Sequence, residues 1–571
     1  MNVMELYAQW RNADLPEDLQ EELNRIEGDS AAIEDRFYQY LSFGTAGMRG
    51  VLGAGTNRMN LYTIRRAAEG LACYIDSHGE EAKKRGVVIA YDTRHFSREF
   101  AVETARVLGA HGVSSYLYRE PRPTPQLSFS VRALRAIAGV VITASHNPKQ
   151  YNGFKVYGED GAQLVPSAAK AIVEHMEKIE DLFAIQAADA EELERQGLLR
   201  WILEEQDEQY LTNLLTLKER NDVDFGLDIV YTPLHGTGFV PVTKALEAFG
   251  FTNVHVVEAQ ASPDGSFPTV AYPNPEEPAA FGMAMELGKR TGADLLLATD
   301  PDADRLGVAV RKGGKYELLT GNQLGALLLH YLLETKKTQG TLPANGAMVK
   351  TIVTSEMGAA IARKYGVKTF NTLTGFKYIA EKIAEFEKTG EYTFLFGYEE
   401  SYGYLIRPFA WDKDAVQVAV KVAEMAAHYA TKGKTLLDVM EELYAAFGYY
   451  REALVSKVFE GKHGQEEMRA ILDGLRERLP REVAGVPVVR VEDYWKGEAV
   501  VADEGTDGAF GRTEPLTLPK ENVLKFVLAD DSWVTIRPSG TEPKCKFYFG
   551  VVKESGEEAE RALEELKRAF L

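Results

Sequence analysis

The chain has 571 residues, 45% of them apolar and 26% charged, with a formal net charge of −20. Such a length exceeds one hydrophobic core and implies about three to five folded domains. The acidic balance excludes general nucleic-acid binding, which needs a basic surface, and no run of about eighteen apolar residues predicts a membrane-spanning helix.

The N-terminus, MNVMELYAQWRNADLPEDLQEELNRI, is acidic and amphipathic and lacks the basic start and apolar core of a signal peptide. Two cysteines, Cys73 and Cys545, allow at most one intrachain disulfide and fit a reducing compartment, so cytoplasm is the expected location. The first forty residues read as a helical extension packed on the first domain; the alternative is a free partner-binding helix.

Further along, a short run of Val, Ile or Leu recurs before a polar loop rich in Gly, Pro, Asp or Ser, usually with a helical stretch after it. This predicts repeated β-loop-α units with strands buried on both faces. Val87–Arg94 (VVIAYDTR), Gly139–Pro148 (GVVITASHNP), Asp228–Gly238 (DIVYTPLHGTG), Asp294–Asp304 (DLLLATDPDAD) and Thr393–Ser401 (TFLFGYEES) are the examples. In such folds functional groups lie beyond the carboxyl ends of strands, where each polar loop falls.

Phe43–Gly50, FGTAGMRG, is glycine-rich and carries Arg49, and YDTR places Arg94 at a strand end; either arginine has acidic surface residues as its competing partner. TASHNP, Thr143–Pro148, presents Ser145 among small residues beside His146 and the turn pair Asn147–Pro148. A helix-capping or turn serine is the plain reading, but Lys155 follows in NGFKVYG, a cation suited to steering a phosphate or moving a proton. The acidic stretch Ile179–Gln209 reads as a connection out of the first domain.

Asp300, Asp302 and Asp304 alternate after the strand DLLLA, and three hard oxygen ligands on one short loop suit Mg²⁺. An EF-hand would need Gly and Glu where Arg305 and Arg311 stand, and a solvated acidic turn would leave three carboxylates in mutual repulsion. Arg305 adds a positive group next to the metal site, as phosphoryl transfer requires. Leu319–Leu333 opens a new helix, GYEESYG offers Glu399 and Ser401 for hydrogen bonds to sugar hydroxyls, and a further change comes near Phe447–Glu452. After a Gly/Asp/Thr-rich loop at Asp503–Thr513, RPSGTEP, Arg537–Pro543, supplies an arginine fork, two hydroxyls and the flexible Gly540 for a phosphate-binding loop. The expected domains are 1–205, 206–318, 319–448 and 449–571.

FGTAGMRG, TASHNP with NGFK, DPDADR, TLTGFK (Thr372–Lys377), GYEESYG and RPSGTEP occur in this order over essentially the whole chain. The sequence thereby resembles the α-D-phosphohexomutase superfamily, and among its members the long bacterial phosphoglucomutases. The resemblance implies an α/β fold of three related α/β domains plus a C-terminal α+β domain around a central cleft. It implies that Ser145 is a phosphoserine and metal ligand, with Asp300, Asp302 and Asp304 holding the ion. Arg49, Lys155 and Arg305 would flank the transferring phosphoryl group, and Glu399 and Ser401 would read the sugar. Lys350, in MVKTIVTS, with Thr374, Gly375 and Lys377, would complete the sugar side. Arg537, Ser539, Gly540 and Thr541 would hold the non-reacting phosphate.

One departure stands out. Phosphomannomutase-type relatives with GEMSGH carry a histidine, a candidate proton acceptor, where this chain has Gly403; Lys155 and His146 are then the candidates for the base, Lys155 being preferred for its reach. The implied reaction interconverts glucose 1-phosphate and glucose 6-phosphate, with Mg²⁺ as cofactor and glucose 1,6-bisphosphate as intermediate and activator. Mannose and pentose phosphates are alternative substrates. A metal-dependent phosphatase and a non-enzymatic sugar-phosphate binder are the other readings. Small sugar phosphates are the expected partners, with neither nucleic acid nor membrane, and the chain is expected to be a monomer or homodimer.

Overall fold

A computed structural model of the chain describes residues 2–44, 47–459, 461–502, 510–538 and 544–571, with backbone alone for 461–465. Two compact units emerge, one formed by 1–324 with 376–435 and the other by 325–375 with 436–571.

The first sheet contains β1 (Gly47–Val51), β2 (Val87–Tyr91), β3 (Ser115–Tyr118), β4 (Ala138–Ile142), β5 (Tyr151–Gly158) and β6 (Leu199–Ile202), in the order β1-β5-β4-β2-β3-β6. The middle of this sheet is parallel, and β5 runs antiparallel to both β4 and β1. Every residue of β2 and β4 is buried, as their unbroken apolar runs demand. Helices Leu61–Asp76, Ser97–Ala110 and Pro166–Glu177 supply one core layer. Helix Thr124–Leu134 packs Leu127 and Val131 against the opposite face.

Three N-terminal helices, Val3–Asn12, Glu17–Arg25 and Ser30–Phe37, bury Leu6, Trp10, Leu23, Ile33 and Phe37 together with Tyr62 and Val107. Trp10 lies edge-on to Tyr62 at 5.4 Å. The extension therefore packs on the first domain, and its apolar stripe is not available as a free binding helix. The stretch 179–209 is more than a connection: Leu199–Ile202 forms β6 and extends the sheet beside β3. Its short apolar run, LRWI, is hidden in sequence by the acidic helices around it.

A second sheet, β7 (Ile229–Thr232), β8 (Val254–Val256), β9 (Leu295–Thr299), β10 (Leu306–Lys312) and β11 (Lys315–Leu318), has the order β11-β10-β9-β7-β8. In the second unit β12 (Gly346–Thr351) lies parallel to β13 (Lys368–Thr372). In the first, β14 (Thr393–Glu399) forms an antiparallel hairpin with β15 (Gly403–Leu405).

The helical stretch usually expected after these polar loops is replaced by a strand at three places. The loops after β4, β9 and β14 return as antiparallel strands, so TASHNP, DPDADR and the turn of GYEESYG are hairpin tips. Each tip holds one non-glycine residue with left-handed backbone: Ser145 at φ 52°, Ala303 at 49° and Tyr402 at 64°. A short polar link between two buried strands must reverse direction within a few residues, and one left-handed residue accomplishes this. The same supersecondary unit thus recurs three times.

The C-terminal region is an antiparallel sheet of β16 (Tyr449–Val458), β17 (Glu482–Val483), β18 (Val486–Asp493), β19 (Glu498–Ala502), β20 (Phe510–Pro515), β21 (Leu524–Leu528), β22 (Trp533–Pro538) and β23 (Lys544–Lys553). Helix Gly556–Phe570 covers it with Ala559, Leu563 and Leu566. The expected α+β character is present. Of the expected loop at 503–513, residues 503–509 lie outside the described residues, and 510–513 already belong to β20.

Candidate active site

Within the first unit, the hairpin tips after β4 and β9 bring Ser145 and the three aspartates together. Ser145 is buried and donates from Oγ to Asp300 Oδ2 at 2.7 Å. Its own N–H is held by Thr143 Oγ1 at 2.8 Å, and His146 Nδ1 stands 3.2 Å from Oγ.

Arg94 fixes this loop from below. Its guanidinium donates to the main-chain carbonyls of Ser145, Asn147, Pro148 and Tyr151, and its Nε pairs at 3.2 Å with Asp92, both side chains being fully buried. An arginine that satisfies four carbonyls replaces the water that a polar loop would otherwise need. Surface pairing, the competing sequence reading for Arg94, does not apply. Arg49, on β1, is exposed and donates to Asn147 Oδ1 at 3.4 Å; Thr45 and Ala46 of the same motif lie outside the described residues.

Asp300, Asp302 and Asp304 are all buried, and each offers a carboxylate oxygen within 4.8 Å of the others. Asp300 Oδ1 accepts the N–H groups of Asp304 and Arg305 at 3.1 and 3.0 Å, closing the turn. Asp302 Oδ2 accepts from Thr124 Oγ1 at 3.0 Å and from Lys155 Nζ at 3.1 Å. Lys413 Nζ lies 3.1 Å from Asp304 Oδ2 and 3.1 Å from Asp412 Oδ1. Asp302 Oδ1 and Asp304 Oδ1 are buried and hydrogen-bond to nothing. Two orphaned carboxylate oxygens beside a third carboxylate fit a hard divalent cation, which would take oxygen ligands of this kind.

The charges respond accordingly. Burial, then repulsion from Asp302 and Asp304, pushes the Asp300 carboxyl well above the usual range. Burial acts the same way on Asp302, but Lys155 and Lys413 outweigh it and hold its carboxyl well below the usual range. Asp304 is raised by burial and by Asp302. Without a cation, then, three like charges cannot all ionise. Burial, helped by Arg305 and Arg49, lowers the His146 imidazole well below its ordinary value and keeps it neutral. Arg305 pairs with Glu276 and lies 3.9 Å from Asp304; burial opposes its charge, but Glu276, Asp304 and Asp300 raise it above an ordinary arginine.

The third tip adjoins the second: Leu306 N–H donates to the Tyr402 carbonyl at 3.2 Å, and Arg305 bridges to Gly403. Glu399 is buried at the end of β14, and Ser401 is half-buried in the turn. A Cβ on Gly403 would meet Lys413 Cδ at 2.1 Å, so the lysine stem occupies the space that a histidine here would need. Sequence reasoning missed Lys413, Thr124 and Glu276. WDKD and the PTP that opens helix Thr124–Leu134 carry no spacing that singles them out.

Lys377 is buried on helix Phe376–Thr389, its Nζ 5.1 Å from the Tyr378 ring centroid. In the second unit Lys350 is fully buried, and its ammonium donates to the Thr351 and Thr354 carbonyls and to Glu356 Oε1 at 2.9 Å. Thr374 has a buried hydroxyl without a hydrogen-bond partner, and Gly375 has φ 117°, a backbone suited to glycine. Arg537, on β22, pairs through Nε with Glu521 Oε1 at 3.0 Å. Ser539, Gly540 and Thr541 lie outside the described residues.

Residues 40–183, 208–314 and 320–447 match the phosphoglucomutase/phosphomannomutase alpha/beta/alpha domains I, II and III, and 481–569 match the C-terminal domain of the same family. Curated relatives named phosphoglucomutase include one from Staphylococcus haemolyticus, 39% identical over 521 residues, with 91% of each chain covered. Another, from Staphylococcus epidermidis, is 41% identical over 515 residues, with 90% of each covered. A crystal structure described as a putative phosphomannomutase from Thermus thermophilus shares the fold with TM-score 0.66 at 24% identity, over 93% of this chain and 98% of that one. Four domain matches in order, joined to identity of this extent across nine-tenths of the chain, show that the chain belongs to the phosphoglucomutase/phosphomannomutase family of the α-D-phosphohexomutase superfamily.

Proposed function

We propose that the protein is a phosphoglucomutase that interconverts α-D-glucose 1-phosphate and glucose 6-phosphate through a phosphoserine at Ser145 and glucose 1,6-bisphosphate as intermediate and activator. The observation that carries this reading is the Ser145 hydroxyl held 2.7 Å from Asp300, beside the orphaned oxygens of Asp302 and Asp304. Glucose rather than mannose is supported by the name shared by relatives 39% and 41% identical.

Asp300, Asp302 and Asp304, together with Ser145 once phosphorylated, would hold Mg²⁺. When bound, the ion supplies positive charge against a phosphoserine of about −1.5 to −2 and polarises the transferring group. The chain's own residues do the rest. Arg94 holds the Ser145 loop in its left-handed turn, Arg49 and Arg305 bring positive charge to the phosphoryl oxygens, and Glu399 and Ser401 orient the sugar. Lys155 is our choice to exchange a proton with the sugar hydroxyl. His146 is a second reading, favoured by its neutrality and by its contact with Ser145 Oγ. Lys350, Thr374, Gly375 and Lys377 are proposed for the sugar side, with the Lys350 ammonium acting through the turn whose carbonyls it holds.

Four domains, 1–205, 206–318, 319–448 and 449–571, are proposed, in keeping with the four matched ranges. None of the described helices is long and apolar enough to cross a membrane. Cytoplasm, and a monomer or homodimer, remain our proposals for the cellular state.

The test combines intact mass before and after phosphatase treatment with a coupled assay on glucose, mannose and ribose phosphates. A mass that falls on phosphatase treatment and fastest turnover on glucose phosphates are expected. Net release of inorganic phosphate in place of isomerisation would identify a phosphatase instead.

Arg537, with Ser539, Gly540 and Thr541, is proposed to hold the non-reacting phosphate. Arg537→Ala removes a charge-assisted contact worth roughly 1.5–3 kcal/mol, so kcat/KM should fall about ten- to a hundredfold. Both substrate orientations present a phosphate to this loop, and forward and reverse reactions should fall alike. Unchanged kcat/KM in both directions would reduce the loop to a structural turn.

A further inference from the structure

Away from the aspartate loop, a second group of metal-ligating side chains joins two helices of the first domain. Glu69 and Cys73 lie four residues apart on one face of helix Leu61–Asp76, and His111 caps the C-terminus of helix Ser97–Ala110. One donor atom from each lies within 4.8 Å of the others, and all three residues are partly buried.

His111 Nε2 lies 3.0 Å from Glu69 Oε2, and Cys73 Sγ lies 3.8 Å from the other oxygen of the same carboxylate, Oε1. Tetrahedral bonds of about 2.0–2.3 Å require ligand-to-ligand edges of roughly 3.3–3.8 Å, so the His111–Glu69 contact would open slightly and any longer edge shorten as the side chains turn toward an ion. Asp76, one turn beyond Cys73, accepts from His111 Nδ1 at 2.8 Å and is itself paired with Lys83 at 2.8 Å. A carboxylate on one imidazole nitrogen orients the ring and leaves the other nitrogen to a metal.

We propose that Glu69, Cys73 and His111 form a site for a borderline, thiophilic divalent cation of the Zn²⁺ type, stapling the two helices together. Its mixed S, N and O donors set it apart from the all-oxygen aspartate loop, which suits a hard ion. A proton is the competitor. Hydrogen bonding to Glu69, against burial and with help from Asp76, raises the His111 imidazolium to about 9, while burial and Glu69 push the Cys73 thiol up. Binding is therefore an exchange: the cation takes the lone pairs of Nε2 and Sγ, and the two displaced protons pass to solvent.

The test uses Co²⁺ as the probe on the full-length protein in saturating Mg²⁺. A thiolate-to-cobalt charge-transfer band saturating at one equivalent is expected, since oxygen ligands alone give none. Zn²⁺ should abolish the band by competition and slow alkylation of Cys73 at least about tenfold, because the free thiolate is the reacting species. The band should disappear in Cys73→Ser and weaken at least about tenfold in apparent affinity in His111→Asn, with Mg²⁺-supported mutase activity unchanged in both. Absence of the band together with an unchanged alkylation rate in the parent protein would overturn the proposal and leave an imidazolium clamped between two carboxylates. A band that survives in Cys73→Ser would overturn it as well.

Discussion

Ser145→Ala is expected to lose its covalent phosphoryl group and at least about three orders of magnitude of mutase activity, the scale on which removal of a nucleophile acts. The protein should remain folded. The hydroxyl contributes one hydrogen bond to Asp300, while the loop's shape rests on Arg94 and on the Thr143 hydroxyl, neither of which touches Oγ. Alanine at φ 52° carries a backbone cost similar to that of serine, so the stability change should stay within about 1 kcal/mol. Mass spectrometry, turnover and thermal unfolding on one preparation separate these outcomes. Substantial turnover in a folded, unphosphorylated variant would rule out the phosphoserine route.

Asp302→Asn should weaken Mg²⁺ dependence and turnover together. Changes one shell removed from a metal typically cost about 10–100-fold, and loss of a direct anionic ligand should exceed about 100-fold in apparent Mg²⁺ affinity. Asp302 is the most informative of the three because Lys155 and Lys413 hold it ionised, whereas its neighbours are pushed toward protonation. The readout independent of activity is Mg²⁺-induced thermal stabilisation, which scales with the ratio of free ion to its dissociation constant. That stabilisation should vanish at concentrations that protect the parent protein. An equal Mg²⁺ response in both proteins would place the ion elsewhere.

Much of this site was legible in sequence because its chemistry lies in contiguous loops. Ser145 with His146, and Asp300 with Asp302 and Asp304, are neighbours along the chain, and buried strands announce where each loop begins. Hairpin returns after β4, β9 and β14 were not legible, since periodicity does not distinguish a strand leading to a helix from one leading to an antiparallel partner. Thr124, Glu276 and Lys413 escaped for a different reason. Thr124 and Lys413 reach the aspartates from more than a hundred residues away, Glu276 reaches Arg305 from more than twenty, and only the fold supplies that proximity. The sequence places Arg94 at a strand end, but its service to four carbonyls depends on the shape of a loop about fifty residues later.

The crowding between Gly403 and Lys413 bears on how such sites diverge. With 2.1 Å between a Cβ at 403 and the Lys413 Cδ, no side chain enters at 403 unless the lysine stem moves. A lineage that places histidine at 403 must shorten or redirect residue 413. Position 403 should therefore covary with 413 across descendants of this chain. Grafting the histidine alone should give a poorer enzyme than either ancestor, a case of epistasis imposed by the volume of a few methylene groups.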